Sequence, residues 1–367
     1  MKTLAIIGST GSIGNSTIKV FLKNKKKFNL VLLAANSNYK SLIKQTKICN
    51  PKNILLFDKL LLKKIKNKKL LSEEVFFKRN KKKIDYVISG VSGYASIDIN
   101  FKLLNISKNL LLANKETIVC GGKTFLKLAK KKKCKIVPID SEHHCIDFFY
   151  KNFFKKKEIK EIFIIASGGP FYNKRLTYNE SIKKVINHPN WKMGREISVN
   201  SSTFANKVLE IFEAKILFKL RNNQIKIRVE QNSLIHAIIK LNNNFLIPII
   251  HTPNMEIPIK NSLGLENNFN LNLDYMKLDI TNPSVFKFPI IKIGFDILRM
   301  NNHAAMIFFT VINERLVNMY LNKQIKYGEI AKILIKTFRN KYFLKKITVK
   351  NINDINNVIN FAKKFNL

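Results

Sequence analysis

A glycine-rich loop follows directly on the first apolar segment, and this feature constrains the fold more than any other. Residues 3–8 form a short apolar strand that leads into Gly8-Ser9-Thr10-Gly11-Ser12-Ile13-Gly14. A strand, a glycine loop and a helix in succession form the phosphate-binding turn of dinucleotide-binding folds. Backbone N–H groups and the helix dipole hold the pyrophosphate there. An ordinary tight turn is the alternative interpretation.

The first part of the chain alternates strands with helices, which is typical of a parallel sheet with crossover connections. The strands are apolar runs without alternation, as buried parallel strands are. We predict further strands at 30–35, 53–57, 84–89, 109–113 and 135–139, and helices at 13–23, 39–48 and in the sixties. The first domain, which binds the cofactor, should span residues 1–140.

The pattern changes beyond residue 160. We predict strands at 161–166, 225–229, 234–240 and 245–250 with an antiparallel face, a mobile loop within 172–195, a helix at 202–218, a connection at 251–289 and helices from 290 onward, including 303–321. The expected fold is α/β: an N-terminal Rossmann-like parallel sheet, a central α+β catalytic domain with a mobile loop, and a C-terminal helical domain. The catalytic domain should span residues 141–265, a linker 266–289 and the helical domain 290–367.

Composition excludes little. The 367 residues carry a formal net charge of +42, which suits a nucleic-acid-binding protein. The positive charge is mostly Lys and is scattered in short runs between apolar segments, so solvated surface is the favoured interpretation. Four cysteines without metal-binding spacing indicate reduced, mostly buried thiols. No stretch reaches the roughly 20 apolar residues of a membrane span, and the early first strand leaves no room for a leader. These features predict a cytoplasmic protein.

The segment after the second strand bears on cofactor choice. NAD enzymes place an acidic residue there for the ribose 2′-hydroxyl. This chain has Asn36-Ser37-Asn38 and no carboxylate before Asp58. The absence favours NADP over NAD.

Two distant segments bring together the donors for a divalent metal beside a phosphate. Asp140 and Glu142 follow a strand, and two residues of extended chain would place both side chains on one face. Their oxygens suit magnesium or manganese better than zinc. A solvated acidic turn is the alternative, and adjacent His143 and His144 should point apart, in packing or supporting roles.

The second segment is the helix that begins near Ser202. Asn206 and Lys207 lie four and three residues before Glu210 and should crowd one polar face. The alternative is a surface ion pair, worth a few tenths of a kcal/mol, with Ser201 as the helix cap.

Six motifs resemble those of the 1-deoxy-D-xylulose 5-phosphate reductoisomerase family in order and approximate spacing. They are G-S-T-G-S-I-G (8–14), L-L-A-N-K-E-T (111–117), D-S-E-H (140–143), S-G-G-P-F (167–171), H-P-N-W-x-M-G-R (188–195) and S-x-x-x-x-N-K-x-x-E (201–210). The resemblance is dense over residues 1–260 and weaker beyond, where Pro253-Asn254-Met255 and Asn313-Glu314 match remnants of family motifs.

The resemblance implies a role for each matched residue. The metal, Mg²⁺, Mn²⁺ or Co²⁺, would be bound by Asp140, Glu142 and Glu210. NADPH would contact Thr10, Gly11, Ser12, Ile13, Ser37, Asn38, Asn114, Glu116 and Gly194. Substrate would contact Lys115, Ser141, Glu142, Ser167, His188, Trp191, Ser201, Asn206, Lys207 and Glu210. Of these, Lys115, Asp140, Glu142, His188 and Glu210 would carry the catalysis, and Trp191 with Met193 would lie on a lid.

Several positions depart from the family pattern. Ser37 replaces a usual Lys near the 2′-phosphate, Asn200 a usual Asp, and Glu230-Gln231 a His-Pro pair. The expected enzyme is a bacterial, cytoplasmic homodimer that isomerises and reduces 1-deoxy-D-xylulose 5-phosphate to 2-C-methyl-D-erythritol 4-phosphate, without nucleic-acid or membrane partners. Another NADP-dependent reductase, of the semialdehyde or homoserine dehydrogenase type, and a basic nucleic-acid-binding protein are the alternatives.

Overall fold

Strands and helices alternate along most of the chain. The computed structural model describes residues 1–65, 67–80, 82–153, 158–191, 193–269, 271, 277–339 and 342–367. Its strands are β1 (Lys2–Ile7), β2 (Phe28–Ala35), β3 (Asn53–Leu56), β4 (Leu70–Leu71), β5 (Ile84–Ser89), β6 (Ser107–Leu112), β7 (Lys135–Pro138), β8 (Ile159–Ala166), β9 (Ile225–Val229), β10 (Ile235–Leu241) and β11 (Leu246–Ile250).

The α-helices vary from one turn to about five. They are α1 (Ser12–Lys23), α2 (Tyr39–Cys49), α3 (Lys59–Lys64), α4 (Glu73–Arg79), α5 (Ser96–Leu103), α6 (Lys115–Lys131), α7 (Ser141–Asn152), α8 (Ile182–Ile186), α9 (Arg195–Ser202), α10 (Ala205–Leu217), α11 (Glu256–Leu263), α12 (Ile290–Met300), α13 (His303–Leu321), α14 (Tyr327–Arg339), α15 (Tyr342–Lys345) and α16 (Ile352–Lys364).

The chain divides into two compact units. The first comprises Met1–Asn114, Phe125–His144 and Met255–Phe269, and the second comprises Lys115–Thr124, Cys145–Asn254 and the described part of Asn270–Leu367. The domain boundaries drawn from sequence at residues 140, 265 and 289 stay predictions. Residues 270 and 272–276 of the predicted linker lie outside the described residues.

The first unit contains the predicted Rossmann-like parallel sheet. Its strands run in the order β4-β3-β2-β1-β5-β6-β7, and every neighbouring pair is parallel. Leu4 and Ile6 of β1 are fully buried, because helices cover both faces of such a sheet. The strand order reverses beside β1, which is the place where open α/β sheets bind ligands. The predicted α/β class is confirmed.

The second unit combines a mixed sheet with the C-terminal helices. Strands in the order β11-β10-β8-β9 form the sheet; β10 is antiparallel to β8 and β11, as predicted, whereas β9 is parallel to β8. Helix α13 has the predicted bounds, and its Phe308, Phe309 and Leu316 are fully buried.

Three local predictions were wrong. Ser141 and Glu142 are helical and not extended: β7 ends at Pro138, α7 begins at Ser141, and the Asp140 carbonyl accepts a 2.8 Å helical hydrogen bond from the N–H of His144. The predicted helix at 202–218 is two helices, α9 and α10, separated by Phe204 at φ +64°. Ser201 therefore lies in the last turn of α9 and does not cap α10.

The third correction concerns the predicted connection at 251–289. This segment contains α11. Pro258 is compatible with the helix because it lies in the first turn, where backbone N–H groups have no helical partner to lose. The four cysteines are buried and free, as predicted. Among the described residues, no helix is long and apolar enough to cross a bilayer.

Candidate functional site

The loop between β1 and α1 requires its glycines. Gly8 has φ +76°, and a Cβ there would lie 2.9 Å from the carbonyl carbon of Gly90. A Cβ on Gly14 would lie 2.3 Å from the Gly8 carbonyl oxygen. This close approach of backbone to backbone at a helix N-terminus is the geometry that receives a pyrophosphate.

A cleft of about 500 Å³ lies beside this loop in the first unit. It is lined by Gly8, Thr10, Gly11, Asn36, Phe57, Glu73, Gly90, Val91, Ser92, Ala95, Asp98, Ile99 and Lys102. Of the predicted cofactor residues, only Thr10 and Gly11 are among them. The cleft and the glycine loop together fit a dinucleotide, and the loop follows β1, as predicted.

The other predicted cofactor residues have identifiable positions. Ser12 and Ile13 begin α1. Ser37 is exposed, and the Asn38 side chain accepts a 3.1 Å hydrogen bond from the Ser41 N–H as the cap of α2. Glu116 lies in the first turn of α6 and Gly194 is the N-cap of α9.

Asn114 is buried at the end of β6. Its side-chain oxygen accepts from the Ser96 hydroxyl at 3.0 Å, and its amide donates to the Gly93 carbonyl at 3.2 Å. These contacts fix the amide on the loop that precedes α5.

The single carboxylate near the end of β3 already has a structural role. Asp58 accepts hydrogen bonds from the N–H groups of Leu60 and Leu61, at 2.9 and 3.0 Å, and caps α3. Asp58 caps a helix after β3 and does not stand after β2, where an NAD enzyme places its ribose-binding acid.

Two carboxylates flank the start of α7. Ligand oxygens of Asp140 and Glu142 lie within 4.8 Å of each other. The Ser141 hydroxyl donates to Glu142 at 2.6 Å, and Nδ1 of buried His143 lies 3.4 Å from Asp140. His144 is held by the Pro138 carbonyl instead, so the two histidines point apart, as predicted. Paired oxygen donors with an imidazole behind them suit a hard divalent cation.

In the second unit, the carboxylate of Glu210 is fully buried between two lysines. Lys207 donates to one oxygen at 2.7 Å and to the Ile165 carbonyl at 2.8 Å. Asn206 donates to the other oxygen, and Lys115 lies 3.6 Å from it. Lys115 also donates to Asn206 at 2.9 Å. The prediction that Asn206, Lys207 and Glu210 share one face of α10 is confirmed. Lys207 and Glu210 are buried, which rules out the alternative of a surface ion pair.

His188 is held in one tautomer. Its Nδ1 accepts from the N–H groups of Asn190 and Trp191, at 3.2 and 3.1 Å. Nε2 therefore carries the proton and donates to the Ser167 hydroxyl, 2.9 Å away. Burial, reinforced by the positive charge of Lys207, lowers the pKa of His188 to about 4. The ring is a neutral hydrogen-bond donor at physiological pH.

The loop that carries Trp191 contacts the turn between β9 and β10. Asn190 donates to the Ser233 hydroxyl at 3.0 Å, and the Trp191 indole meets the His236 ring edge-on at 6.1 Å. The carboxylate of buried Glu230 shapes this turn by accepting from the N–H groups of Asn232, Leu234 and Ile235. The departure at Glu230 thus has a structural role.

Ser201 lies near the loop that begins at Ser167. Gly169, at φ +68°, packs so closely that a Cβ would lie 3.2 Å from the Ser201 carbonyl oxygen. One residue earlier, Asn200 accepts a 2.8 Å hydrogen bond from the amide of buried Asn313. This bond needs an acceptor oxygen at position 200, which an amide supplies as a carboxylate does.

Family models match three stretches of the chain. Residues 4–122 match 1-deoxy-D-xylulose 5-phosphate reductoisomerase, residues 136–218 match the C-terminal domain of that enzyme, and residues 250–365 match a DXP reductoisomerase C-terminal domain. The chain belongs to the 1-deoxy-D-xylulose 5-phosphate reductoisomerase family.

Curated members of the reductoisomerase family are similar over nearly the whole chain. The enzyme of Pelagibacter ubique (strain HTCC1062) is 38% identical over 99% of this chain and 98% of its own length. That of Ehrlichia canis (strain Jake) is 34% identical over 98% of this chain and 95% of its own. The resemblance inferred from six motifs is confirmed.

Solved reductoisomerases have the same fold. A complex with NADPH, fosmidomycin and magnesium is 27% identical, with a TM-score of 0.88 over 99% of this chain and 98% of that one. The Zymomonas mobilis enzyme in complex with NADPH is 25% identical, with a TM-score of 0.83 over 99% of this chain and 97% of its own.

Sequence reasoning missed the acidic and basic groups of the cofactor cleft. Glu73, Asp98 and Lys102 lie on helices α4 and α5, and none belongs to a motif. The sheet order places these helices, which follow β4 and β5, beside the glycine loop that follows β1.

Proposed function

We propose that this chain converts 1-deoxy-D-xylulose 5-phosphate into 2-C-methyl-D-erythritol 4-phosphate, with NADPH and a divalent metal, in non-mevalonate isoprenoid precursor synthesis. Membership of the reductoisomerase family supports the reaction. The observation in the chain itself that carries the proposal is the buried Glu210, bracketed by Lys207, Lys115 and Asn206. A buried carboxylate whose position is fixed by its neighbours is suited to act as a metal ligand.

Asp140, Glu142 and Glu210 are the proposed metal ligands, and Mg²⁺, Mn²⁺ or Co²⁺ is the proposed ion. Hard oxygen donors favour Mg²⁺ or Mn²⁺, and solved family members contain magnesium. His143 would orient Asp140 from behind, as supporting groups orient metal ligands.

When bound, the metal polarises the ketone and neighbouring hydroxyl as a Lewis acid, and NADPH supplies the hydride. The protein orients substrate and excludes water around that chemistry. Lys115 donates to Asn206 and lies beside Glu210, a position from which it would bind a substrate hydroxyl next to the metal. Ser141 and Glu142 would bind the same region.

The proposed phosphate contacts are Ser167, His188, Ser201, Asn206 and Lys207. Neutral His188 already donates to Ser167 through Nε2, so an arriving phosphate oxygen would replace a hydroxyl as its acceptor. Lys207 would supply the positive charge. A remote phosphate bound in this way lends its binding energy to closure of the Trp191 loop.

NADPH would lie along Thr10, Gly11, Ser12 and Ile13, with Ser37 and Asn38 at the adenosine end. Asn114, Glu116 and Gly194 would contact the nicotinamide half. The segment after β2, Asn36-Ser37-Asn38, has no carboxylate, and Asp58 lies after β3 as the cap of α3, which supports NADPH over NADH. We also propose a cytoplasmic homodimer, which light scattering of the purified chain would test.

Oxidation of NADPH in the presence of 1-deoxy-D-xylulose 5-phosphate tests the proposal directly. We expect turnover with Mg²⁺ or Mn²⁺ and none after chelation. Turnover of a semialdehyde without metal, and none of the ketose phosphate, would instead identify another NADP-dependent reductase.

A further inference from the structure

The charged side chains that line the cofactor cleft are unbalanced. Among the described lining residues, Glu73 and Asp98 are acidic and Lys102 is the only cation. The 2′-phosphate of NADPH adds a further negative group, and Lys102 is the one cation among these described lining residues that can attract it.

Lys102 lies in the last turn of α5 and pairs with Glu73, in the first turn of α4. Its Nζ is 2.6 Å from Oε1 of Glu73, and the lysine side chain is 55% exposed. An ion pair this exposed contributes little to stability. The lysine can therefore turn toward a stronger anion at little cost.

The pair lies at the adenosine end of the cleft. Phe57 and Asp58, after β3, donate backbone hydrogen bonds to Ala35 and Asn36, after β2, at 3.0 and 3.2 Å. Asn36 and Phe57 line the same cleft as Lys102. In this fold the ribose 2′ position lies at the end of the second strand.

We propose that Lys102 is the residue that selects NADPH over NADH, and that Glu73 is the group it offsets; this inference rests on the proposed function. With Lys102 present, the Glu73 carboxylate is neutralised and the ammonium is available to the 2′-phosphate. Without Lys102, the Glu73 carboxylate repels the 2′-phosphate of NADPH. It can then accept a hydrogen bond from the ribose 2′-hydroxyl of NADH, which favours NADH.

Direct binding tests the assignment. NADPH and NADH are each titrated into the full-length protein, with nicotinamide fluorescence as the readout, for wild type and K102Q. We expect K102Q to raise the Kd for NADPH by about tenfold or more, as loss of a charge-assisted contact does, and to leave the Kd for NADH nearly unchanged or lower. E73Q should lower the Kd for NADPH.

Lys63 offers a matched control. It lines the adjacent cavity, which also contains Glu73 and Lys102, but not the cofactor cleft, so K63Q removes the same charge without this effect. Adding Ser37→Lys to K102Q should restore NADPH affinity. Equal losses for both cofactors in K102Q, or a loss in K63Q as large as in K102Q, would overturn the proposal. Failure of the wild type to bind NADPH would instead refute the proposed function.

Discussion

The imidazole of His188 donates a 2.9 Å hydrogen bond to the hydroxyl of Ser167, and two backbone N–H groups fix the tautomer that makes this possible. The histidine is buried and uncharged, so it would contact a phosphate as a neutral hydrogen-bond donor and would add no positive charge. The charge at the proposed phosphate site comes from Lys207, and burial, together with this ammonium, keeps the His188 ring neutral.

The depressed pKa of His188 should make stability depend on pH. The folded-state pKa is about 4, below the ordinary 6.5, so the unfolded chain binds the proton first as pH falls. The stabilisation is fully present above pH 6.5 and is lost on acidification toward pH 4. Its slope approaches about 1.4 kcal/mol per pH unit within that window.

Urea unfolding of wild type and H188Q across this range checks the expectation. The stability difference between the two proteins should shrink as pH falls. A difference that is constant with pH would show that His188 titrates normally.

Trp191 is the chain's only tryptophan, and it should report closure of the loop. It is half-buried and touches His236 only edge-on. We expect its emission to shift to the blue when a phosphonate substrate mimic binds with metal and NADPH, and much less with either alone. W191F provides the blank, and an emission maximum unmoved in active protein would contradict the lid.

The buried carboxylate of Glu230 should stabilise the β9–β10 turn. Both its oxygens accept backbone N–H groups, so an amide at this position must turn its NH₂ toward a donor. E230Q is expected to lose about 2 kcal/mol of unfolding free energy. The control is E161Q, which alters a surface ion pair on β8 and should lose under about 1 kcal/mol of unfolding free energy. Equal losses in the two variants, measured by urea unfolding, would contradict the stabilising role of Glu230.

Sequence periodicity was sufficient to predict the site residues that lie on a single helix. Asn206, Lys207 and Glu210 share a helix face because their spacing requires it. It failed at Asp140 to Glu142, because a strand pattern was extended past Pro138 into a helix. It could not find Glu73 and Lys102, which are 29 positions apart and meet only through the packing of two helices.

The most direct test of the account is E210Q, measured for turnover and for NADPH binding in the same preparation. The amide keeps the size of the side chain but removes the charge that a divalent ion needs. Loss of a supporting group behind a metal ligand costs up to about a hundredfold, so loss of the ligand itself should cost at least that in kcat, while the Kd for NADPH stays near the wild-type value. E161Q serves as the control. Near-normal turnover of E210Q at low metal concentration would contradict a metal site that includes Glu210.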